Sequence, residues 1–208
     1  MFTGIVTDIG TILAAEQRGD LHLTIGCDYD VDDVAMGASI ACSGVCLTVV
    51  DKGRDAQGQN WFTVDASAET VSCTAPGMWE SNHRLNLERA LKLGDELGGH
   101  IVTGHVDGVG TIRELRPVEG SIDLAILAPA SLAEAIAAKG SIAVDGISLT
   151  VNSVQDEADG QALFRLNIIP HTAMHTTLAS AAVGKRVNLE IDVLARYLAR
   201  MLDVRQTQ

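Results

Sequence analysis

The chain has 208 residues, of which 47% are hydrophobic, so it is long enough to bury a small core in each of two domains. Its formal net charge of −12 repels phosphate backbones and anionic lipid surfaces, so we expect no nucleic-acid and no membrane partner. No apolar run is long enough for a membrane span and the first residues lack the basic start of a signal peptide, which predicts a cytoplasmic protein.

Three blocks of the sequence, beginning with the first twelve residues, are repeated about a hundred residues later. Residues 1–12 and 101–112 share six of twelve positions, and residues 38–49 and 140–151 share seven of twelve. A third block, Arg-Leu-Asn-Leu-Glu at 84–88, returns as Arg-Val-Asn-Leu-Glu at 186–190. Because the period is the size of a small domain, the order of these blocks indicates a duplicated domain. The duplication could provide two related pockets, or it could have doubled only the scaffold.

Most segments within each repeat alternate polar and apolar residues and are rich in Val, Ile and Thr, which predicts short strands. Residues 52–60 and 156–161 fall at corresponding places and have the Gly and Asp residues of hairpin loops. Several short antiparallel strands in each repeat favour one small closed barrel per repeat, and therefore an all-β protein. Cys42 and Cys46 are expected in a single strand, where they could not form a disulfide with each other.

Helices are expected at two places. Ser131 and Glu134 have the spacing of a capping box, and Gly140 could end the helix that they start. The C-terminal segment carries a helical apolar stripe without a counterpart after the first repeat, where residues 93–99 form a linker. That stripe comprises Leu194, Tyr197, Leu198, Met201 and Leu202. It could fold onto its own barrel, but a contact between subunits is the favoured interpretation. The domains are therefore expected at 1–97, 98–192 and 193–208.

The cysteines and histidines predict neither a disulfide framework nor a metal site. All four cysteines lie in the first repeat, whereas a structural disulfide would be expected to recur with the domain. The His100/His105 and His171/His175 pairs lack the further ligands of a zinc site. We expect reduced thiols and no metal.

The positions where the repeats differ in chemistry are the candidate reactive groups. Aligning the repeats sets five residues of the first copy, Ile5, Ser43, Cys46, Glu69 and Ala90, against His105, Asp145, Ser148, His171 and Asp192 of the second. The second copy thus has more groups that can move a proton near neutral pH, although drift on a solvated surface is the alternative explanation. A Ser/His/Asp hydrolase is disfavoured because Ser148 lies in an expected strand without a Gly-x-Ser-x-Gly turn.

At these blocks the sequence resembles the riboflavin synthase family along essentially its whole length. The motifs that carry the resemblance are MFTGIV, SGVCLTV, NLERAL, GGHIVTGHVDG, KGSIAVDGISLTV, IIPHT and VNLEID, in that order. The family pattern usually has Asn at the position of Ser43, which is a departure. The resemblance implies two tandem six-stranded antiparallel Greek-key barrels followed by a C-terminal α-helix.

The resemblance also implies the activity, that of a transferase without an external cofactor. Two molecules of 6,7-dimethyl-8-ribityllumazine dismutate by transfer of a four-carbon unit, giving riboflavin and 5-amino-6-ribitylamino-pyrimidinedione. The family implies a homotrimer, with each reacting pair between the first barrel of one subunit and the second barrel of a neighbour, and a possible association with lumazine synthase. The competing class is a binding module, because lumazine proteins share the fold without catalysis; a purely structural trimer leaves the paired pockets unexplained.

The resemblance implies substrate-binding residues at the positions that match the family motifs, and these fall into one group for each repeat. For the first barrel they are Gly4, Ile5, Val6, Ser39, Cys46, Leu47, Thr48, Asp65, Ala66, Ser67, Ala68, Glu69 and Thr70. For the second they are His100, Gly104, His105, Val106, Ser148, Leu149, Thr150, Asn167, Ile168, Ile169, Pro170, His171 and Thr172, with Lys139 reaching in from a neighbouring subunit. His105 and Ser148 are expected to transfer a proton and position a nucleophile, Asp192 to orient that group, and Cys46 to serve the partner substrate, unless it is only a small buried thiol.

Overall fold

A computed structural model of the chain, which describes residues 1–206, contains two closed six-stranded antiparallel barrels. The first is built from β1 (Asp8–Arg18), β2 (Asp20–Cys27), β3 (Ser39–Cys42), β4 (Val45–Arg54), β5 (Asn60–Ala66) and β6 (Arg84–Arg89). The second is built from β7 (Gly108–Val118), β8 (Ser121–Ala128), β9 (Ser141–Val144), β10 (Ile147–Asp156), β11 (Ala162–Ile168) and β12 (Arg186–Ile191). The duplicated all-β architecture expected from the repeats is confirmed.

Both barrels connect their strands in one order. Around the first barrel the order is β1-β2-β5-β4-β3-β6, and the second follows the same path with β7 to β12. Each barrel has register shifts at equivalent places, after Ile12 and Val49 in the first and after Ile112 and Val151 in the second. Such bulges increase strand bending, which a sheet of six strands needs in order to close.

Alternation along the strands fills each barrel with apolar side chains. Phe62 and Ile25 are fully buried in the first core, and Phe164 and Ile126 are fully buried at the equivalent places in the second. The two cores are separate, which agrees with one core per repeat. The loops at 55–59 and 157–161 connect β4 to β5 and β10 to β11, as the hairpin interpretation predicted.

The helices are short except the last. They are α1 (Ala68–Ser72), α2 (Ala130–Ala133), α3 (Pro170–Met174) and α4 (Val193–Gln206), with 3₁₀ turns at Val31–Asp33 and Thr177–Ser180. The expected C-terminal helix is confirmed as α4. Among the described residues, no helix is long and apolar enough to cross a membrane.

The capping box expected at Ser131 is wrong. Pro129 is the N-cap residue of α2, no side chain caps the helix, and Glu134 lies at its C-terminal end rather than in its first turn. The helix ends well before Gly140, in a series of single turns. Pro129 has the extended backbone of an N-cap residue, with φ of −64° and ψ of 155°, so Ser131 lies inside the helix, where its side chain cannot cap the first turn.

Cys42 and Cys46 lie on two strands rather than one, so that expectation is also wrong. Ser43 and Gly44 form the tight turn between β3 and β4, with φ of 46° and 83°. Asp145 and Gly146 form the same turn between β9 and β10, with φ of 46° and 78°. Positive φ at both central residues is the requirement of a type I′ hairpin. All four cysteines are free thiols, as expected.

Candidate functional site

The segments that precede β1 and β7 cross over to the opposite barrel. Phe2 and Val102 pair as an antiparallel bridge, with N–O distances of 2.8 and 3.0 Å. Beyond that bridge the Gly4 carbonyl accepts a hydrogen bond from the Ser148 amide at 2.8 Å, and the Gly104 carbonyl accepts one from the Cys46 amide at 2.8 Å. Each barrel therefore receives its pocket wall from the other repeat.

Glycine is required where these segments cross. Gly4 and Gly104 have φ of 76° and 79°, a conformation that disfavours other residues. A Cβ on Gly4 would lie 2.5 Å from the Cβ of Ser148, and a Cβ on Gly104 would lie 2.6 Å from that of Cys46. Gly4 and Val6 therefore contact the second barrel, and Gly104, His105 and Val106 contact the first, whereas the sequence grouped each segment with its own repeat; Ile5 lies beside the first barrel.

Two buried glutamates fix the crossing segments. One carboxylate, that of Glu88, accepts from the amides of Thr3 and Gly4 and from the Thr3 hydroxyl, at 2.7–2.9 Å. Glu190 does the same for Thr103 and Gly104 and also accepts from the His105 amide at 3.0 Å. Burial raises the pKa of Glu88, and these donors work against that rise. Sequence reasoning assigned no role to either glutamate, although both lie inside repeated blocks.

The pocket of the first barrel, here called the Cys46 pocket, is a cavity of about 250 Å³. Its lining joins Cys46, Glu69 and Cys73 of the first repeat to His105 and Val106 of the second. The Cys73 thiol donates to the Glu69 carboxylate at 3.3 Å across one turn of α1. Because His105 is exposed and Cys46 half-buried, both can contact a ligand held there.

At the place on the second barrel that corresponds to Cys46, a hydrogen bond joins Ser148 Oγ and His100 Nδ1 at 2.7 Å; this place is here called the Ser148 pocket. His100 is only 9% exposed, and its Nε2 has no partner among the described residues. Burial lowers the pKa of His100, against the charges of Asp192 and Glu190, which raise it. A histidine with a lowered pKa is mostly neutral at pH 7, so it can exchange a proton with the serine.

The linker between the repeats brings His100 to Ser148. A Cβ on Gly99 would lie 2.1 Å from the Thr3 carbonyl and 2.8 Å from Ser148 Oγ, so only glycine allows this approach. Asp192 is half-buried, its carboxylate accepts from the Leu194 amide at 2.9 Å at the start of α4, and its charge acts on His100. His105 lies in the other pocket, which sequence reasoning did not foresee.

The other expected binding residues divide by orientation. Leu47, Ala66 and Ile168 are buried in the cores, so only their backbone atoms can meet a ligand. Exposed or half-buried side chains near the strand ends and in the first turns of α1 and α3 are Ile5, Val6, Ser39, Thr48, Asp65, Ser67, Ala68, Thr70, Leu149, Thr150, Asn167, Ile169, Pro170 and Thr172. Asp65 pairs with His22 at 2.7 Å across β2 and β5, and the His171 ring stacks on His175 with centroids 4.2 Å apart.

Lys139 stands apart from both pockets. It is exposed, with φ of 67°, in the turn before β9. It does not line the Cys46 pocket. Within residues 1–206 no three His, Cys, Asp or Glu side chains are grouped as metal ligands.

Comparison with known proteins gives both a family and structural neighbours. The lumazine-binding domain model matches twice, at residues 3–90 and 103–192. The riboflavin synthase of Brucella abortus is 45% identical over 97% of this chain and 98% of its own length, and that of Mycobacterium bovis is 47% identical with the same coverage. A solved structure described as LumP complexed with riboflavin has a TM-score of 0.75 and 25% identity, covering 92% of this chain and 99% of that one.

Proposed function

Because the chain belongs to the riboflavin synthase family, we propose that its two pockets each bind one molecule of 6,7-dimethyl-8-ribityllumazine. The chain is a transferase that dismutates two such molecules into riboflavin and 5-amino-6-ribitylamino-pyrimidinedione. The observation that supports the pocket assignment is the crossing of the repeats. It gives each barrel the same combination of a β-strand edge, a glycine carbonyl and a short helix. Two equivalent pockets suit two identical substrates.

The catalytic advantage begins with positioning. Holding two lumazines against each other replaces a bimolecular encounter with an intramolecular one, which can supply about 7–11 kcal/mol of the barrier. Backbone groups of β4 and β10, with the hydroxyls of Thr48 and Thr150, pair with the polar edge of the ring system in each pocket. Leu47, Ala66 and Ile168 then serve as core residues that hold those backbone groups in place.

The side chains divide the chemistry between the pockets. The reaction removes a proton from the C7 methyl group of one lumazine and adds a nucleophile at C7 of the other. In the Ser148 pocket, Ser148 positions the nucleophile for C7 of its lumazine and neutral His100 receives the proton that this nucleophile loses, while Asp192 orients His100 through its charge. In the Cys46 pocket, His105 is the base that removes the C7 methyl proton of the partner substrate, with Cys46 beside it.

A homotrimer completes these sites. In each reacting pair, the Cys46 pocket of one subunit faces the Ser148 pocket of another, and Lys139 reaches the substrate from a neighbouring subunit. The exposed apolar stripe of α4 supports an assembly of this kind. We place the functional divisions at 1–97, 98–192 and 193–208, the protein in the cytoplasm, and lumazine synthase, which supplies the substrate, as its partner.

The function is tested by mixing chelator-treated protein with 6,7-dimethyl-8-ribityllumazine and following riboflavin absorbance. Turnover without metal or nicotinamide is the expected result. Stoichiometric binding of lumazine or riboflavin without conversion would instead support a binding module, the alternative favoured by the similarity to LumP. A strict requirement for an added cofactor would contradict the proposal.

A further inference from the structure

A further cavity, of about 110 Å³, lies between the two barrels and outside both proposed lumazine pockets. Residues from both repeats line it, and several are related by the duplication. His83 corresponds to Lys185, Arg84 to Arg186, and Ser43 to Asp145. Equivalent residues of the two repeats therefore meet at this cavity, and none of the proposed catalytic or substrate-binding residues lines it.

The two arginines reach the cavity because of strand alternation. Residues i and i+2 of a strand share one face, so Arg84 lies on the same face of β6 as Asn86. That face lies against the other barrel. The side-chain amide of Asn86 donates to the Asp145 carbonyl at 2.8 Å, and the side-chain amide of Asn188 donates to the Ser43 carbonyl at 2.9 Å. Arg186 has the equivalent place on β12.

The charges around this cavity are unusual for the molecule. The whole chain has a formal charge of −12, yet three cations, Arg84, Lys185 and Arg186, line the cavity against one carboxylate, that of Asp145. Lys185 lies 4.0 Å from that carboxylate. Within residues 1–206 neither arginine side chain forms an ion pair or a hydrogen bond. The lining thus keeps two guanidinium groups that no carboxylate neutralises.

We propose that this cavity binds a small tetrahedral dianion of the sulfate or inorganic phosphate class. Its lining carries a net charge of +2, which matches a dianion, and guanidinium groups recognise such oxyanions through paired N–H donors. The volume exceeds the roughly 30 Å³ that one water occupies in the liquid, which leaves room for a small ion. The ion bridges the two barrels, since Arg84 and Arg186 belong to different repeats.

His83 and Asp145 set how binding depends on pH. Burial, and then the charge of Lys185, lower the pKa of His83, against the charge of Glu80, so its neutral ring can donate one hydrogen bond. An anion bound beside the ring raises that pKa. Burial raises the pKa of Asp145 to about 6, against the charge of Lys185. Ionised Asp145 repels the ligand, so affinity increases as the pH falls through about 6 and the carboxyl becomes protonated.

The test is a titration of the full chain with sodium sulfate, using sodium chloride at matched ionic strength as the reference. Sulfate is chosen because it remains a dianion over this pH range. Calorimetry at pH 7 is expected to show one saturable site per chain. The double variant Arg84→Gln with Arg186→Gln should bind at least tenfold more weakly with riboflavin formation unchanged, and Asp145→Asn should bind more tightly.

Two controls separate a site from a general salt effect. The pair Arg18→Gln with Arg116→Gln removes two charges from exposed ion pairs elsewhere and should leave sulfate affinity unchanged. The pKa of His83, followed by imidazole NMR, should rise on saturation in the wild-type chain and not in the Arg84/Arg186 double variant. A calorimetric response to sulfate that does not saturate, or an affinity that falls equally in both double variants, is a general salt effect and overturns the proposal.

Discussion

At the scale of single residues, Asp145 shows how one difference between the repeats changes stability. It has the same place in its turn as Ser43. The Ser43 side chain accepts a hydrogen bond from the backbone amide of Asn86, and the Asp145 side chain accepts one from the backbone amide of Asn188. Serine can do so without charge. Asp145 is buried, so its carboxylate loses hydration that one hydrogen bond and Lys185 at 4.0 Å do not restore.

We therefore expect Asp145→Asn to stabilise the protein above pH 6. The folded-state pKa of about 6 exceeds the ordinary aspartate value of 3.8, so the folded state binds more protons between these values and stability falls as the pH rises through this window. At about 1.36 kcal/mol per pKa unit, the wild type loses roughly 2–3 kcal/mol by pH 7 relative to its protonated form. Asparagine avoids this loss, keeps the acceptor and tolerates positive φ.

Urea denaturation from pH 4 to pH 8 measures this difference, with Asp20→Asn, at the exposed start of β2, as control. The advantage of Asp145→Asn should shrink towards pH 4, whereas Asp20→Asn should change stability little at any pH. A gain that stays constant across the range would show that charge burial is not its cause.

The pocket residues permit a prediction that separates binding from catalysis. Ser148→Ala and Asp192→Ala should lower kcat strongly while leaving riboflavin affinity within about tenfold, or roughly 1.4 kcal/mol, because their roles concern the transition state. Cys46→Ser gives the first pocket the group that the second already has, so it should retain measurable turnover. Steady-state kinetics and riboflavin titration of the three variants decide this; an inactive Cys46→Ser beside fully active Ser148→Ala and Asp192→Ala would reverse the assignment.

Part of the site could be predicted from the sequence because the repeats mark it. Cys46 and Ser148 lie in repeated blocks and line equivalent places of the two barrels. The placement of His105 could not be predicted, because alignment shows which residues correspond but not which barrel a segment contacts. The roles of Glu88 and Glu190 were missed for the same reason: each binds a segment about 85 residues away along the chain.

At the scale of elements, strands are present where polar and apolar residues alternate regularly. The predictions were wrong where a single turn or cap residue determines the backbone conformation. The Ser43-Gly44 turn had a usable signal, since a Gly-containing dipeptide between alternating apolar residues favours a two-residue hairpin. At α2 the Ser/Glu spacing was misleading, because Pro129 starts the helix two residues earlier. Local rules therefore predicted the type of these elements better than their ends.

The crossing segments give a prediction about elements. Gly104→Ala should destabilise the protein by roughly 1–3 kcal/mol more than Gly120→Ala. Both glycines have positive φ, 79° and 89°, which costs another residue about 1–2 kcal/mol. Only at Gly104 would the new Cβ overlap Cys46, whereas nothing lies within 4 Å at Gly120.

Thermal denaturation and lumazine titration of both variants test this contact. Gly104→Ala should also weaken ligand binding, because its carbonyl holds the Cys46 strand that lines the pocket. Equal losses of stability in the two variants, with unchanged binding, would contradict the close packing of the crossing segment.

At the scale of the whole molecule, α4 is the helix whose apolar face remains exposed in a single chain. Arg196 forms a two-atom ion pair with Asp107 at 2.8–3.2 Å, so this face of the helix lies against the second barrel. The apolar stripe is on the opposite face, since its residues are 56–71% exposed: Leu194, Tyr197, Leu198, Met201 and Leu202. A helix anchored by charge and exposing its apolar face is well suited to contact other subunits.

We expect Leu198→Gln with Met201→Gln to convert the proposed trimer into monomers and to abolish most turnover. The two changes weaken apolar contacts on the exposed face but leave the Arg196–Asp107 pair, so the barrels should stay folded. Arg200→Gln, on an exposed part of α4 off the stripe, is the matched control and should remain trimeric and active. Analytical ultracentrifugation with a riboflavin assay gives both readouts, and deletion after Asp192 should reproduce the loss. Because a reaction between two lumazines on different subunits cannot proceed in a monomer, a fully active monomeric variant would show that one chain holds both substrates.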